Sequence, residues 1–174
     1  MIALVPIGEV EDTRVKSLAR PLTEILGQEG EVAGTLLLPE NGWSRSRCQY
    51  LASALLALVP VPARWNRALG IANVDLYAPG LNFVFGIADP EGRRALISLA
   101  RLRPEFYGSP PDDPLFLQRA VKEAVHELGH TYGLGHCRDP RCVMFFSNTL
   151  HDTDVKGPGF CAACKPKVNR GISG

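Results

Sequence analysis

The segment His126-Glu127-Leu128-Gly129-His130 sets two imidazoles four residues apart, with a carboxylate between them. On an α-helix, residues at i and i+4 share a face, so both rings can reach one metal ion. Glu127 lies beside that face, where its carboxylate touches a water at the metal without ligating the ion. With four histidines in 174 residues, such a pentapeptide arises by chance about half a percent of the time. The continuation lowers those odds by a further factor on the order of several hundred, because Gly133 and His136 extend the match to HExxHxxGxxH. A straight helix would carry His136 ~15 Å along the axis from His126, whereas a zinc–nitrogen bond spans ~2.1 Å. The chain must turn back, and Gly133 is the residue best able to take the left-handed conformation that ends a helix. Three histidines leave a tetrahedral zinc one position for water, as in a catalytic site.

Five cysteines are distributed unevenly. Cys48 stands alone, while Cys137, Cys142, Cys161 and Cys164 crowd the last quarter of the chain. Their spacing is C-x4-C, eighteen residues, then C-x2-C, close to that of zinc ribbons. His136 and Cys137 are adjacent, and neighbouring side chains of extended backbone point to opposite sides. One short segment can therefore give a ligand to each of two metals. Four reduced or opportunistically disulfide-bonded cysteines are the alternative, and disulfides are rare in a reducing compartment.

Together, HELGHTYGLGH, Cys137, Cys142, Met144 and the Cys161-x-x-Cys164 pair resemble the archaemetzincin family of metzincin zinc peptidases. The resemblance implies that His126, His130 and His136 bind a catalytic zinc, with Glu127 as general base and acid. It implies Met144 as the Met-turn methionine beneath the metal and the four cysteines as a second, structural zinc site, two zinc ions per chain in all. The implied substrate is a peptide or protein. Many metzincins carry a tyrosine two residues after that methionine; here the position is Phe146, so an oxyanion donor must come from Ser147, Asn148 or a backbone N–H. A non-hydrolytic zinc-binding protein on the same scaffold, or a hydrolase of a non-peptide amide, is the alternative function.

These residues need a frame. Residues 2–7 and 32–38 read as buried strands, with a helix over 13–26 between them, Asp12 as its N-cap and Pro21 awkwardly inside it. A second helix is predicted over 44–59, placing Cys48 on a buried apolar face. Strand-like runs at 69–77, 81–88 and 94–100 with short connections argue for antiparallel pairing there, whereas the earlier strand–helix–strand order argues for parallel pairing. Residues 104–114 read as a proline-rich loop, 115–132 as the active-site helix with Asp112 or Asp113 near its start, and the chain beyond Gly133 as loop-rich. The expected fold is α/β (α+β): a metzincin-like, mixed, mostly parallel five-stranded sheet with helices packed on it. A single catalytic domain over 1–174 is expected, with an N-terminal subdomain (1–133) and a C-terminal subdomain (134–174) around the structural zinc. Residues 81–88 are the candidate edge for an extended peptide, and Phe145 and Phe146 candidates to shape an apolar pocket. His151, Glu105 and Tyr107 read as surface residues.

Composition excludes several functions. A hydrophobic content of 45%, 21% charged residues and a net charge of +1 lack the basic excess of nucleic-acid or membrane-surface binding. No apolar run reaches the roughly 18 residues of a membrane span, and the N-terminus lacks the basic and small-residue signature of a secretory leader. A cytoplasmic monomer acting on peptides, with no nucleic-acid or membrane partner, is the resulting expectation. The lack of a recognisable pro-segment further suggests a narrow or hindered site, suited to short peptides or to exopeptidase action.

Overall fold

The computed structural model describes residues 1–173. Strand β1 (Ile2–Ile7) is buried along its whole length and lies inside a five-stranded sheet. Its neighbours are β2 (Gly30–Val32) and β5 (Arg67–Ala72), both parallel to it. Strand β8 (Arg94–Ser98) runs parallel to β5, and β7 (Gly86–Asp89) closes the far edge antiparallel to β8. The sheet is therefore mixed and mostly parallel, as expected.

Alternation along β1 shows why its sequence is a continuous apolar run. Ile2 and Leu4 join Leu69, Ile71 and Ile97 beneath helices α1 (Asp12–Leu26) and α3 (Asp113–Thr131). Ala3, Val5 and Ile7 join Ala68, Ala72 and Leu96 on the other face, under α2 (Ala52–Leu56), Val59 and Trp65. A strand covered on both faces has no polar side. Each fully buried Leu or Ile contributes about 1.5–3 kcal/mol of transfer free energy.

Several local expectations are corrected. Asp12 opens α1, and Glu11 is its cap residue; Pro21 sits inside the helix without ending it. The predicted strand over 32–38 pairs continuously only up to Val32. Pro6 has no N–H to give on that side of β1, so the neighbouring chain is held by Leu36 N–H donating to the Pro6 carbonyl and Gly8 N–H donating to Leu36. The predicted helix over 44–59 survives only as α2. Before it, β3 (Trp43–Ser44) turns back onto β4 (Gln49–Leu51), which pairs with β6 (Leu76–Tyr77). Buried Gln49 drives this, because its side-chain amide donates to Asp75 and to the Asn82 carbonyl, a tertiary demand that overrides helix propensity. Cys48 consequently sits exposed at the turn with φ 52°, not buried on a helix. The three clustered strands are not wholly antiparallel: β8 inserts between β5 and β7, the tight turn at 90–93 gives an antiparallel pair, and the first two runs meet antiparallel only in the isolated bridge Leu76–Val84. Residues 81–84 leave the five-stranded ladder, while the Phe85 carbonyl still accepts from Ser98 N–H, and the loop-rich tail contains α4 (Leu150–Val155) and α5 (Lys165–Ser173).

Helix α3 is capped at its start by the Asp112 carboxylate, which accepts from Leu115 N–H at 2.9 Å. It ends at Gly133, whose φ of 84° is left-handed. Gly133 N–H bonds the His130 carbonyl and Leu134 N–H bonds Gly129, satisfying two otherwise orphaned carbonyls. Because only glycine holds this conformation without cost, Gly133→Ala should lower stability by about 1–2 kcal/mol. Thermal unfolding of the metal-loaded protein should show a melting temperature lower by several degrees.

Candidate active site

From Arg119 to Gly129 every residue of α3 is buried, so the helix carries its polar residues through the middle of the molecule. His126 Nδ1 lies 2.8 Å from the Val143 carbonyl, and His130 Nδ1 lies 2.7 Å from that of Leu134. A carbonyl only accepts, so both Nδ1 atoms carry the proton and both Nε2 lone pairs are bare. Those two Nε2 atoms are 3.2 Å apart. Two lone pairs facing at that distance repel unless a cation lies between them. Zinc–nitrogen bonds of about 2.1 Å at a tetrahedral angle would set them about 3.4 Å apart. His136 comes back over the pair, its ring 5.4 Å from His126 and 4.9 Å from His130. One ligand atom from each of the three lies within 4.8 Å of the others. Burial disfavours the imidazolium throughout: it takes His126 down to about 3 and lowers His130 and His136 as well. Neutral imidazole is the form that binds metal.

The four cysteines form a second group beside the first. Their sulfurs also lie within 4.8 Å of one another, and none forms a disulfide. Cys137 Sγ and Cys161 Sγ are 3.8 Å apart. That separation matches two zinc–sulfur bonds of about 2.3 Å at a tetrahedral angle, about 3.8 Å, and is far beyond a disulfide bond of about 2.05 Å. Asp139 N–H points at Cys137 Sγ and Cys161 N–H at Cys142 Sγ, each at 3.4 Å. A hydrogen bond from Cys164 N–H leads the influences that bring Cys161 down to about 7, whereas burial pushes Cys142 and Cys164 up. The two groups share backbone. Cys137 N–H donates to the Met144 carbonyl at 2.9 Å, and Cys137 forms a parallel bridge with Phe145.

Met144 is fully buried against the turn of α3 that carries both helical histidines. A Cβ built at Gly129 would lie 2.5 Å from Met144 Sδ, so the glycine of the motif makes room for the methionine.

Twelve residues, His126 among them, line a cavity of about 240 Å³, with residues 81–85 and Gly86 at the start of β7 as one wall. His126, Glu127, Gly86, Phe146, Ser147 and Glu123 are among its lining. The Phe146 ring packs tilted against His136, centroids 4.7 Å apart, while Phe145, His151, Glu105 and Tyr107 do not line the cavity. Ser147 Oγ is buried there without a hydrogen-bond partner.

Comparison with known proteins agrees with this geometry. Residues 63–170 match the family model for peptidase family M54. An archaemetzincin of Methanocaldococcus jannaschii is 45% identical over 172 residues, spanning 98% of this chain and 94% of that protein. The crystal structure of an archaemetzincin from Methanopyrus kandleri superposes with a TM-score of 0.87 at 42% identity, over 100% of this chain and 96% of that one. A structure described as a zinc-dependent peptidase from Methanocorpusculum labreanum gives the same TM-score at 30% identity, over 97% and 100% of the two chains. The chain belongs to peptidase family M54, the archaemetzincins. It is accordingly a zinc metallopeptidase with peptide substrates.

Two features of this archaemetzincin were not singled out from its sequence. The first is Gly86, where an added Cβ would meet the Leu96 carbonyl and Glu127 Cγ at 2.6 and 2.7 Å. A glycine on the edge strand thus lets the Glu127 side chain lie flat against the sheet. A glycine interrupting a strand-like run was the available signal. The second is a buried ion pair. Lys156, fully inaccessible, lies 3.0 Å from Glu123 Oε1, although it aims no N–H along hydrogen-bond geometry. Thr153 donates to the same oxygen at 3.0 Å. Glu123 stands one helical turn before Glu127, a spacing visible in the sequence; nothing local marked Lys156. Burial first, then the Glu123 charge, push the Glu127 carboxyl well above its ordinary range, with Lys156 opposing. Removing one member of a buried pair strands the other charge, so Lys156→Met should destabilise the protein by about 3–5 kcal/mol. The shift in urea midpoint, read at constant slope, measures it.

Proposed function

We propose that His126, His130 and His136 hold the catalytic zinc of this peptidase and that Glu127 is its general base and acid. The supporting observation is the pair of bare Nε2 atoms 3.2 Å apart, with His136 closing over them and Glu127 buried on the same turn. When bound, zinc supplies Lewis acidity, lowering the pKa of a coordinated water towards ~7 and polarising the scissile carbonyl. Glu127 takes a proton from the attacking water and returns it to the departing amine. Its seat against Gly86, away from bulk solvent, keeps it beside the metal position in one orientation. Phe146 has no hydroxyl to offer, so the buried, unpartnered Ser147 Oγ is the candidate donor to the developing oxyanion.

Cys137, Cys142, Cys161 and Cys164 form the second, structural zinc site, for two zinc ions per chain. That site ties Cys137, and through it His136, to the segment carrying Met144. The 1–133 and 134–174 parts then act as one catalytic domain. A peptide lies extended along β7, whose outer edge is free to accept a strand among the described residues. The cavity is small, which suits short peptides or an exopeptidase habit over folded proteins. Five unpaired cysteines fit a reducing, cytoplasmic setting, and no described helix is long and apolar enough to cross a membrane. The acting unit is a monomer.

Two experiments test this reading. Metal analysis of the purified chain should return two zinc per protein, falling to one in Cys164→Ser with a clear loss of thermal stability. Glu127→Ala should lose hydrolysis of a peptide library by about 10²–10⁴-fold while retaining both metals. Equal turnover in that variant would remove Glu127 from the chemistry, and no turnover by either form would favour a binding protein.

A further inference from the structure

Glu123 has no part in the proposed hydrolysis, yet it lines the same cavity as His126 and Glu127. It is almost wholly buried, and so is its counter-ion Lys156. Both contacts to its carboxylate, from Lys156 and from Thr153, go to Oε1. That leaves Oε2 without a protein contact among the described residues, on a side chain that lines the cavity.

We propose that Glu123 is the specificity-determining residue of this cleft, accepting through Oε2 a hydrogen bond from a neutral donor on the substrate side chain, a carboxamide or hydroxyl. The inference rests on the peptidase reading of the site and adds the class of side chain it selects. Three considerations carry it. An apolar side chain filling the cavity would strip water from Oε2 and return nothing, and a buried acceptor left unpaired costs far more than the bond is worth in water. A cationic side chain would gain little, because Lys156 already neutralises Glu123 and a second buried ammonium beside the first is repelled. The position is also stiff: Glu123 sits in the middle of α3, clamped by Thr153 and Lys156 from α4 and the residue following it. A fixed acceptor discriminates better than a mobile one.

The test uses the zinc-loaded protein and three hydroxamate inhibitors identical except for one side chain, ending in a carboxamide, in the isosteric isopropyl group, or in an ammonium. Calorimetric affinities should favour the carboxamide over both others by about tenfold or more. The double variant Glu123→Leu with Lys156→Met replaces the ion pair by apolar groups of similar size and should fold, as buried pairs so replaced generally do. In it the preference should invert towards isopropyl. An indifferent wild-type protein, or one preferring isopropyl or ammonium, overturns the assignment without any variant being needed. A carboxamide preference that survives the double replacement overturns it equally. Hydrolysis of peptides carrying glutamine or leucine at each position flanking the bond is measured alongside. Selective hydroxamate binding with no hydrolysis of any peptide would sink the peptidase reading and leave the pocket assignment standing.

Discussion

Three imidazole nitrogens must meet within a few ångströms although the third lies ten residues beyond the first, and most of the C-terminal structure follows from that constraint. A helix alone cannot satisfy it. The left-handed Gly133 reverses the chain, the Leu134 carbonyl freed by the reversal orients His130, and the returning segment lays His136 over the helix. The same segment then passes directly into Cys137, whose N–H bonds the Met144 carbonyl. The side chain of that same Met144 packs on Gly129, while Val143 just before it supplies the carbonyl that orients His126. The two helical histidines are thus aimed by backbone from the very stretch that the cysteine cluster gathers. These two histidines are held stiffly because each is fixed twice, by its helix and by a hydrogen bond to a backbone carbonyl.

Charge inside the molecule is arranged with equal economy. Carboxylates at 123 and 127 stand one turn apart on a buried helix, where burial and then the charge at Glu123 raise the cost of ionising Glu127. Lys156 offsets Glu123 at 3.0 Å, and Gly86 gives Glu127 its space against the edge strand. Replacing that pair by hydrophobic residues need cost no stability. Its retention is then better explained by what Glu123 presents to the cavity than by what it adds to the fold.

Much of the site was legible in the sequence because it depends on short spacings. The i, i+4 histidines, the glycine three residues on and the His136–Cys137 adjacency each translate into geometry through helix pitch, left-handed φ and strand alternation. The cysteine set was legible by spacing, and the zinc-peptidase activity by resemblance to archaemetzincins. Elements with strong periodicity, β1, α1 and α3, were also readable from their buried apolar faces. Local reading failed where tertiary partners outweighed propensity. The Ala/Leu-rich stretch after Ser44 became a hairpin and a five-residue helix because Gln49 is needed to hold Asp75 and Asn82, residues distant in sequence. Cys48 was exposed by that same change, and the strand after Val32 was cut short by a proline on its neighbour.

By itself, then, the sequence determined the spacing of the histidines and cysteines, the sense of the chain reversal and the apolar strands and helices that carry them, since all rest on short spacings or local periodicity. Only the tertiary structure decided which strand would insert between β5 and β7, that Gly86 would lie against Glu127, and that Lys156 would reach Glu123 from more than thirty residues away. Those contacts join segments with no periodic relation to one another. Their partners are chosen by packing and by the demand that every buried charge find a counter-charge, and no local pattern encodes that choice.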